Sequence, residues 1–358
     1  MRINRLELLG LLKIVSPALA GPKHAVQEMC CVWFDGQHIS GFNDVLGVQV
    51  DFKTEFTGGM LGDKLIGVLE RSTAKEIDFQ AEGEDAVLKI GNASIKLTRR
   101  PIEDWFWSPE VPGSAGYEVT KQFREAVDLV LMSVGSSAAV NPEQRGVTII
   151  QNGKGADLYS TDAVSLSRAY VSTGNRTIID RRVVLPTVLC EQFKMLKGSI
   201  ELRFDDGAVY CLAAVDPVGR KAESGEVRRT YGAVVFSRLI DDEEPVDFED
   251  VVSTYEVPKD GGAPVPSQLK RRAERAMVVL GDHPLEVRVE DGYLHLDAQT
   301  PYGEVHDRLK FPDHPDAELK IDASLLNRAL EGREAMVLSE NGVVMTGPAD
   351  FLHIIGSK

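Results

Sequence analysis

Apolar positions along this chain switch between two periods, and the switch is written three times. Apolar residues recur at three- and four-residue spacing through Ile3, Leu6, Leu9 and Leu12. They do so again through Val119, Phe123, Ala126, Val127, Val130 and Val134, and through Leu269, Ala273, Ala276, Met277 and Leu280. This spacing predicts three helices, each with one face half buried. Alternation then takes over from Cys31, Gly146 and Leu285, and is broken at Asp35-Gly36, Asn152-Gly153 and Asp291-Gly292. Such pairs between alternating runs predict hairpins with type I′ turns, whose two central residues need positive φ. Second helices are predicted over 59–71, 185–198 and 322–333, with Asp322 as an N-cap and Pro186 in a first turn. Closing hairpins follow from Ile77, Ile200 and Ala335.

Segments rich in proline, glycine and serine at 108–116 and 253–267 read as linkers, and 218–230 reads as a long loop inside the second repeat. Domains are therefore expected at 1–113, 114–253 and 254–358. The fold class is α+β: three repeated domains, each with two helices packed on antiparallel strands. Open sheets leave edges exposed, and joining sheets across domain boundaries removes them and builds closed rings.

Composition changes this picture little. The 358 residues suit two or three domains, and 43% hydrophobic content supports ordinary cores. No apolar run approaches the roughly 20 residues of a membrane span. Glu7 interrupts the apolar start, which reads as a surface helix rather than a signal peptide, so a cytoplasmic protein is expected. Cys30, Cys31, Cys190 and Cys211 form no C-x-x-C pair and read as buried reduced thiols.

Charge changes it more. The chain carries −15, yet the six helical windows sum to +5, which leaves −20 on the rest. If the helices share a surface, it is basic inside an acidic protein. Such a surface binds phosphate by counterion release without reading sequence. Lysine and arginine are also good helix formers on solvated faces, so charge alone leaves both readings open.

Enzyme signatures are sparse. The chain has no G-x-x-x-x-G-K-[ST] loop, no G-x-S-x-G elbow and no H-E-x-x-H pair. His306, Asp307, Asp313, His314 and Asp316 offer imidazole and oxygen donors for a divalent ion, but they also read as a polar strand and a proline-rich turn. The run Asp241-Asp242-Glu243-Glu244 reads as a solvated loop. No catalytic residue, metal or cofactor is expected.

Three segments in order along the repeat carry a family resemblance. In Leu158–Tyr170, Thr161, Asp162 and Leu166 match a run whose intervening residues are glycine, histidine and arginine; Ala163, Val164 and Ser165 depart from it. In Phe236–Val252, Arg238, Leu239, Pro245, Phe248 and Val251 take similar places, with a one-residue shift after Pro245. Residues 350–358 stand where the family has a hydrophobic tail. Together they resemble the bacterial DNA polymerase III beta subunit, the sliding clamp, over essentially the whole length.

The resemblance implies a closed ring, built as a head-to-tail homodimer, around duplex DNA bound without sequence specificity. It implies no catalytic site and no membrane contact. DNA polymerase and clamp loader would bind by short peptides in a pocket lined by Thr161, Leu166, Pro245, Val251, Leu352 and Ile354, burying leucine or aromatic anchors. Arg5, Lys13, Lys64, Arg71, Lys121, Arg124, Lys194, Lys197, Lys270, Arg271, Arg275 and Arg328 would face DNA. Ile95, Leu97, Met277, Val278 and Leu280 would form the dimer seam. The competing readings are a metal-dependent hydrolase on a repeated scaffold and a structural oligomer that binds no DNA.

Overall fold

The computed structural model describes residues 2–114, 116–135, 139, 141–174, 177–215, 231–240, 246–255, 262–281, 283–348 and 350–357. The predicted loop 218–230, the acidic run 241–244 and Pro245 lie outside the described residues, as does part of the second linker. Seven α-helices are described: α1 (Arg5–Val15), α2 (Gly62–Glu70), α3 (Lys121–Val130), α4 (Thr187–Gln192), α5 (Phe248–Ser253), α6 (Leu269–Leu280) and α7 (Ala323–Ala329).

The chain divides into two compact units. One comprises Met1–Thr120 and Val188–Leu239, the other Lys121–Thr187 and Ile240–Lys358. The first unit holds an eight-stranded antiparallel sheet in the order Thr57–Leu61, Cys31–Asp35, His38–Phe42, Leu46–Asp51, Tyr231–Arg238, Ala208–Val215, Lys197–Phe204, Tyr117–Val119. The second repeats the plan with Val183–Pro186, Gly146–Asn152, Gly155–Thr161, Ser165–Ser172, Phe351–Gly356, Gly342–Gly347, Ala335–Ser339 and Ala263–Pro264. Each unit also has a four-stranded sheet. At the centre of each long sheet, strands from different repeats pair: Val48 with Val235 in the first, Leu166 with Ile354 in the second. Each central edge is thus covered by the next repeat, as the edge argument anticipates.

Six of the helices follow a strand at a sheet edge, at 2–4, 57–61, 117–119, 183–186, 263–264 and 317–321. The helices expected from Gly59, Val119 and Leu185 therefore open as strands. Pro186 is a strand residue paired with Gly146 and not part of a helical turn. Asp322 caps α7 as expected, accepting from the Ser324 and Leu325 amides, and Asn4 caps α1 in the same way. In α1 the buried stripe runs through Leu8, Leu11, Leu12 and Val15, while Leu6 is exposed. The helix starts at Arg5, which places Leu6 in a first turn away from the core and makes α1 more deeply buried than a surface helix.

The third hairpin turns as predicted: Glu290 pairs with Tyr293, and Asp291 and Gly292 take φ of 52° and 72°. In the second, Asn152 pairs with Gly155, so the turn is Gly153-Lys154. The first has a longer loop after Phe34, because the Asp35 carboxylate accepts from the Gln37 and His38 amides. All four cysteines are buried and unbridged. No helix among the described residues is long and apolar enough to cross a membrane.

Candidate functional site

The outer face of the second unit's long sheet carries an apolar floor. Because side chains alternate along strands, Tyr159, Leu166, Leu352, Ile354 and Val344 reach the same face. They form one cluster with Phe248 and Val252 of α5, and Val251 packs at its margin. Thr161 sits at the end of the floor: its hydroxyl donates to the Ser165 carbonyl at 2.8 Å and accepts from the Ala163 amide. The turn between these strands is held by Asp162, whose Oδ1 accepts from the Val164 and Ser165 amides. Thus Leu166, Leu352 and Ile354 are brought together, with Val251 beside them.

Helix α5 is fastened over this floor. Asp247 caps it, accepting from the Glu249 and Asp250 amides at 3.1 Å. Phe248 stacks on Tyr159, and the Arg182 guanidinium stands 5.0 Å from the Phe248 ring centre. Arg182 donates to the Val246 carbonyl at 2.7 Å, and buried Glu143 accepts from the Val246 amide at 2.8 Å. The Tyr159 hydroxyl donates to Glu249. Burial, then this bond, pushes the Tyr159 pKa above the ordinary phenol value, so the hydroxyl stays a donor at neutral pH. The sequence reading missed Tyr159, Phe248, Val252 and Val344 as parts of the site. A signal for α5 exists: an Asp cap followed by Phe248, Val251 and Val252 at helical spacing.

The first unit shows what the same plan does with other residues. Its turn has Asn43 where the second has Asp162, accepting from the Val45 and Leu46 amides. Asp44 and Ala163 occupy the same turn position, with φ of 76° and 71°. Gly47 pairs with Phe236 as Leu166 pairs with Ile354. Trp107 lies on Gly47, leaving no room there for a side chain, and stacks on Phe42 at 5.3 Å.

The predicted DNA-facing cations divide by partner. Lys13 pairs with Glu70 at 2.9 Å, Lys64 with Asp63 at 3.2 Å, Lys121 with Glu125 at 3.0 Å and Lys270 with Glu331 at 3.4 Å. Arg275 shares Asp307 with Arg272, and Arg328 lies 3.7 Å from Asp162. Arg5 donates to the Ala74 and Leu69 carbonyls, closing the end of α2, and Arg71 donates to Gly67. Arg271 and Lys194 are exposed, Arg124 is half buried, and the Lys197 side chain lies outside the described residues.

Among the seam residues, Ile95 and Leu97 sit half buried on Ala93–Thr98, an edge strand. Beside it lies a cavity of about 970 Å³ lined by Asp63, Lys64, Val68, Arg71, Ile90 and Ile95. Met277 is half buried and Val278 is 86% exposed, whereas Leu280 is 1% exposed within the core and has no surface to offer a second chain.

The metal candidates scatter. His306 bonds Asp297, Asp307 takes the two arginines, and His314 turns into the core to accept from the Leu338 amide at 2.7 Å. Among the described residues no group of three or more His, Cys, Asp or Glu is placed to hold a metal.

No protein-family model matches the chain. Solved structures do. A DNA polymerase III beta subunit from Thermotoga maritima is 18% identical, with a TM-score of 0.80 over 100% of this chain and 98% of that one. A sliding clamp from Pseudomonas aeruginosa bound to griselimycin is 17% identical, with a TM-score of 0.81 over 100% and 98%. A putative beta subunit from Eubacterium rectale is 14% identical, with a TM-score of 0.80 over the same shares. From end to end, the fold of this chain is that of the DNA polymerase III beta-subunit sliding clamps.

Proposed function

We propose that this protein is a DNA sliding clamp: a cytoplasmic processivity factor without catalysis of its own. Three domains, 1–113, 114–253 and 254–358, form half of a ring that two copies close head to tail. The observation that carries the reading is the end-to-end match to beta-subunit clamps. The doubled sheet plan, in which strands of successive repeats pair at the centre, supports it further. Duplex DNA would pass against α1, α2, α3, α4, α6 and α7, held through phosphates without base readout. Polymerase and clamp loader would dock by short peptides on the floor around Leu166, Leu352 and Ile354, with Thr161 and Val251 at its margin. Ile95 and Leu97 of one copy would meet Met277 and Val278 of the other.

The decisive experiment loads the protein on nicked circular DNA and then linearises the DNA. Retention on the circle and escape from the line is the expected result; equal retention on both sinks the ring. Light scattering checks the stoichiometry, with a mass near twice 39.3 kDa expected.

A further inference from the structure

Arg333 lies just beyond α7 and is 9% exposed. Its Nε donates to the Ala329 carbonyl at 2.9 Å, its Nη2 reaches the Met132 sulfur at 3.5 Å, and its guanidinium stands 3.8 Å from the centre of the Phe351 ring. Its Nη1 is buried with no partner among the described residues. That nitrogen lies over Gly347, which presents no side chain to it: a Cβ there would come 3.4 Å from Nη1. No carboxylate among the described residues bonds this guanidinium. Glu331, the acid that acts on its charge, is 81% exposed and pairs with Lys270. Burial accordingly pushes the Arg333 pKa down to about 10. A buried charge is costly unless it is paired and hydrogen-bonded, and an aromatic face offsets the charge only in part while giving the N–H groups no acceptor in their own plane.

A second free donor lies on the same face of the sheet. His353 follows Phe351 by two residues, so both point to one side of the strand Phe351–Gly356. Hydroxyls of Ser165, Ser133 and Ser167 run in a chain to its Nδ1, at 3.2, 2.7 and 2.8 Å. With each hydroxyl donating onward, Nδ1 accepts and the proton of the neutral ring sits on Nε2, which is buried without a partner among the described residues. Met132 and Ser133, neighbours in sequence, touch Arg333 and His353 in turn. Two N–H donors and one positive charge are thus left on this face with no acceptor. A water molecule would bring two hydrogens needing acceptors of their own and would leave the charge unbalanced.

We infer that a small monovalent anion of the chloride class binds inside the second unit at Arg333 Nη1, with His353 Nε2 as its further donor. Two repeats build the site, through Met132 and Ser133 on one side and Arg333, Phe351 and His353 on the other. It lies behind the strand whose opposite face carries Leu352 and Ile354. Urea midpoints of the full chain test it, with gluconate replacing chloride at constant ionic strength and fixed protein concentration. Above the dissociation constant, each tenfold rise in chloride should raise the wild-type folding equilibrium constant about tenfold. Arg333→Met, which keeps the length and loses the charge, should show no such dependence. Diffraction from wild-type crystals soaked in bromide needs no variant: an anomalous peak is expected at hydrogen-bonding distance from Arg333 Nη1. A water there without anomalous signal overturns the site. A bromide peak with wild-type stability indifferent to chloride also overturns it, as an adventitious ion only. If Arg333→Met keeps the wild-type dependence, chloride acts elsewhere and the site falls. If that variant does not fold, the bromide map and the wild-type titration decide together.

Discussion

Tyr159 and Phe248 lie face to face, with ring centres 4.6 Å apart and planes 4° from parallel, and the Tyr159 hydroxyl reaches past the stack to Glu249. One tyrosine thus holds α5 by an apolar surface and by a polar tip. Tyr159→Phe keeps the first and removes the second. It should destabilise the protein by about 1 kcal/mol, at the low end for a charged acceptor because Glu249 is largely exposed. The urea midpoint should fall with an unchanged slope. An unchanged midpoint would mean that the bond contributes nothing.

Ala163 stands in the left-handed region with φ of 71°, at the place where the clamp family resembled in sequence has glycine. An L-residue there costs roughly 1–2 kcal/mol, partly offset because glycine has more freedom to lose on folding. Ala163→Gly should therefore raise stability by about 0.5–1 kcal/mol. The Val164 carbonyl still receives the Gly356 amide at 2.8 Å, so the turn should keep its shape. A lower melting temperature would show that Asp162 and Thr161, not the backbone, set the turn's energy.

These two sites show what the sequence discloses and what it does not. Leu166, Leu352 and Ile354 are legible as apolar positions of strands, and their grouping follows once the clamp resemblance is accepted. The pairing of Leu166 with Ile354 is not written in periodicity, since nothing local tells a strand which distant edge it will cover. Helix α5 escapes for the same reason: Phe248 meets Tyr159 only through tertiary folding, although Asp247 and the helical spacing after it mark the helix. Counting charge by helix finds the basic elements but misses Asp307 and Asp162, which approach Arg275 and Arg328 from a strand and a turn.

His353 lies between Leu352 and Ile354 but faces the other side of the sheet. Its Nδ1 is 2.8 Å from the Ser167 hydroxyl, and its Nε2 has no partner among the described residues. Burial first, then the charges of Arg333 and Arg328, hold its pKa down to about 3, against 6.5 in an unstructured chain. Between these values the unfolded chain takes up a proton that the folded protein refuses. Stability is thus whole above pH 6.5 and declines as pH falls toward 3, with a limiting slope of about 1.4 kcal/mol per pH unit from this residue. His353→Gln should flatten that decline. Urea midpoints at about pH 7.5, 6 and 5 test it: parallel curves for the two proteins would place the acid sensitivity elsewhere.

On α6, Arg272 and Arg275 both hold Asp307, the former at 2.6 Å, whereas Arg271 is exposed with no partner among the described residues. An arginine tied to a carboxylate is a weaker phosphate ligand than a free one, because the pair must be broken before the phosphate is met. Two opposite changes follow if this helix faces DNA. Replacing Lys270, Arg271 and Arg275 together with glutamate should weaken retention on nicked circular DNA. It should also lower the slope of log affinity against log salt by roughly 0.9 for each phosphate that is no longer neutralised. Asp307→Asn should act the other way, releasing two arginines, tightening retention and steepening the slope. Asp307 is only 11% exposed, so circular dichroism must show both variants folded. If retention and slope are unchanged in both, α6 does not face the DNA, and the basic character of the helices belongs to a solvated surface.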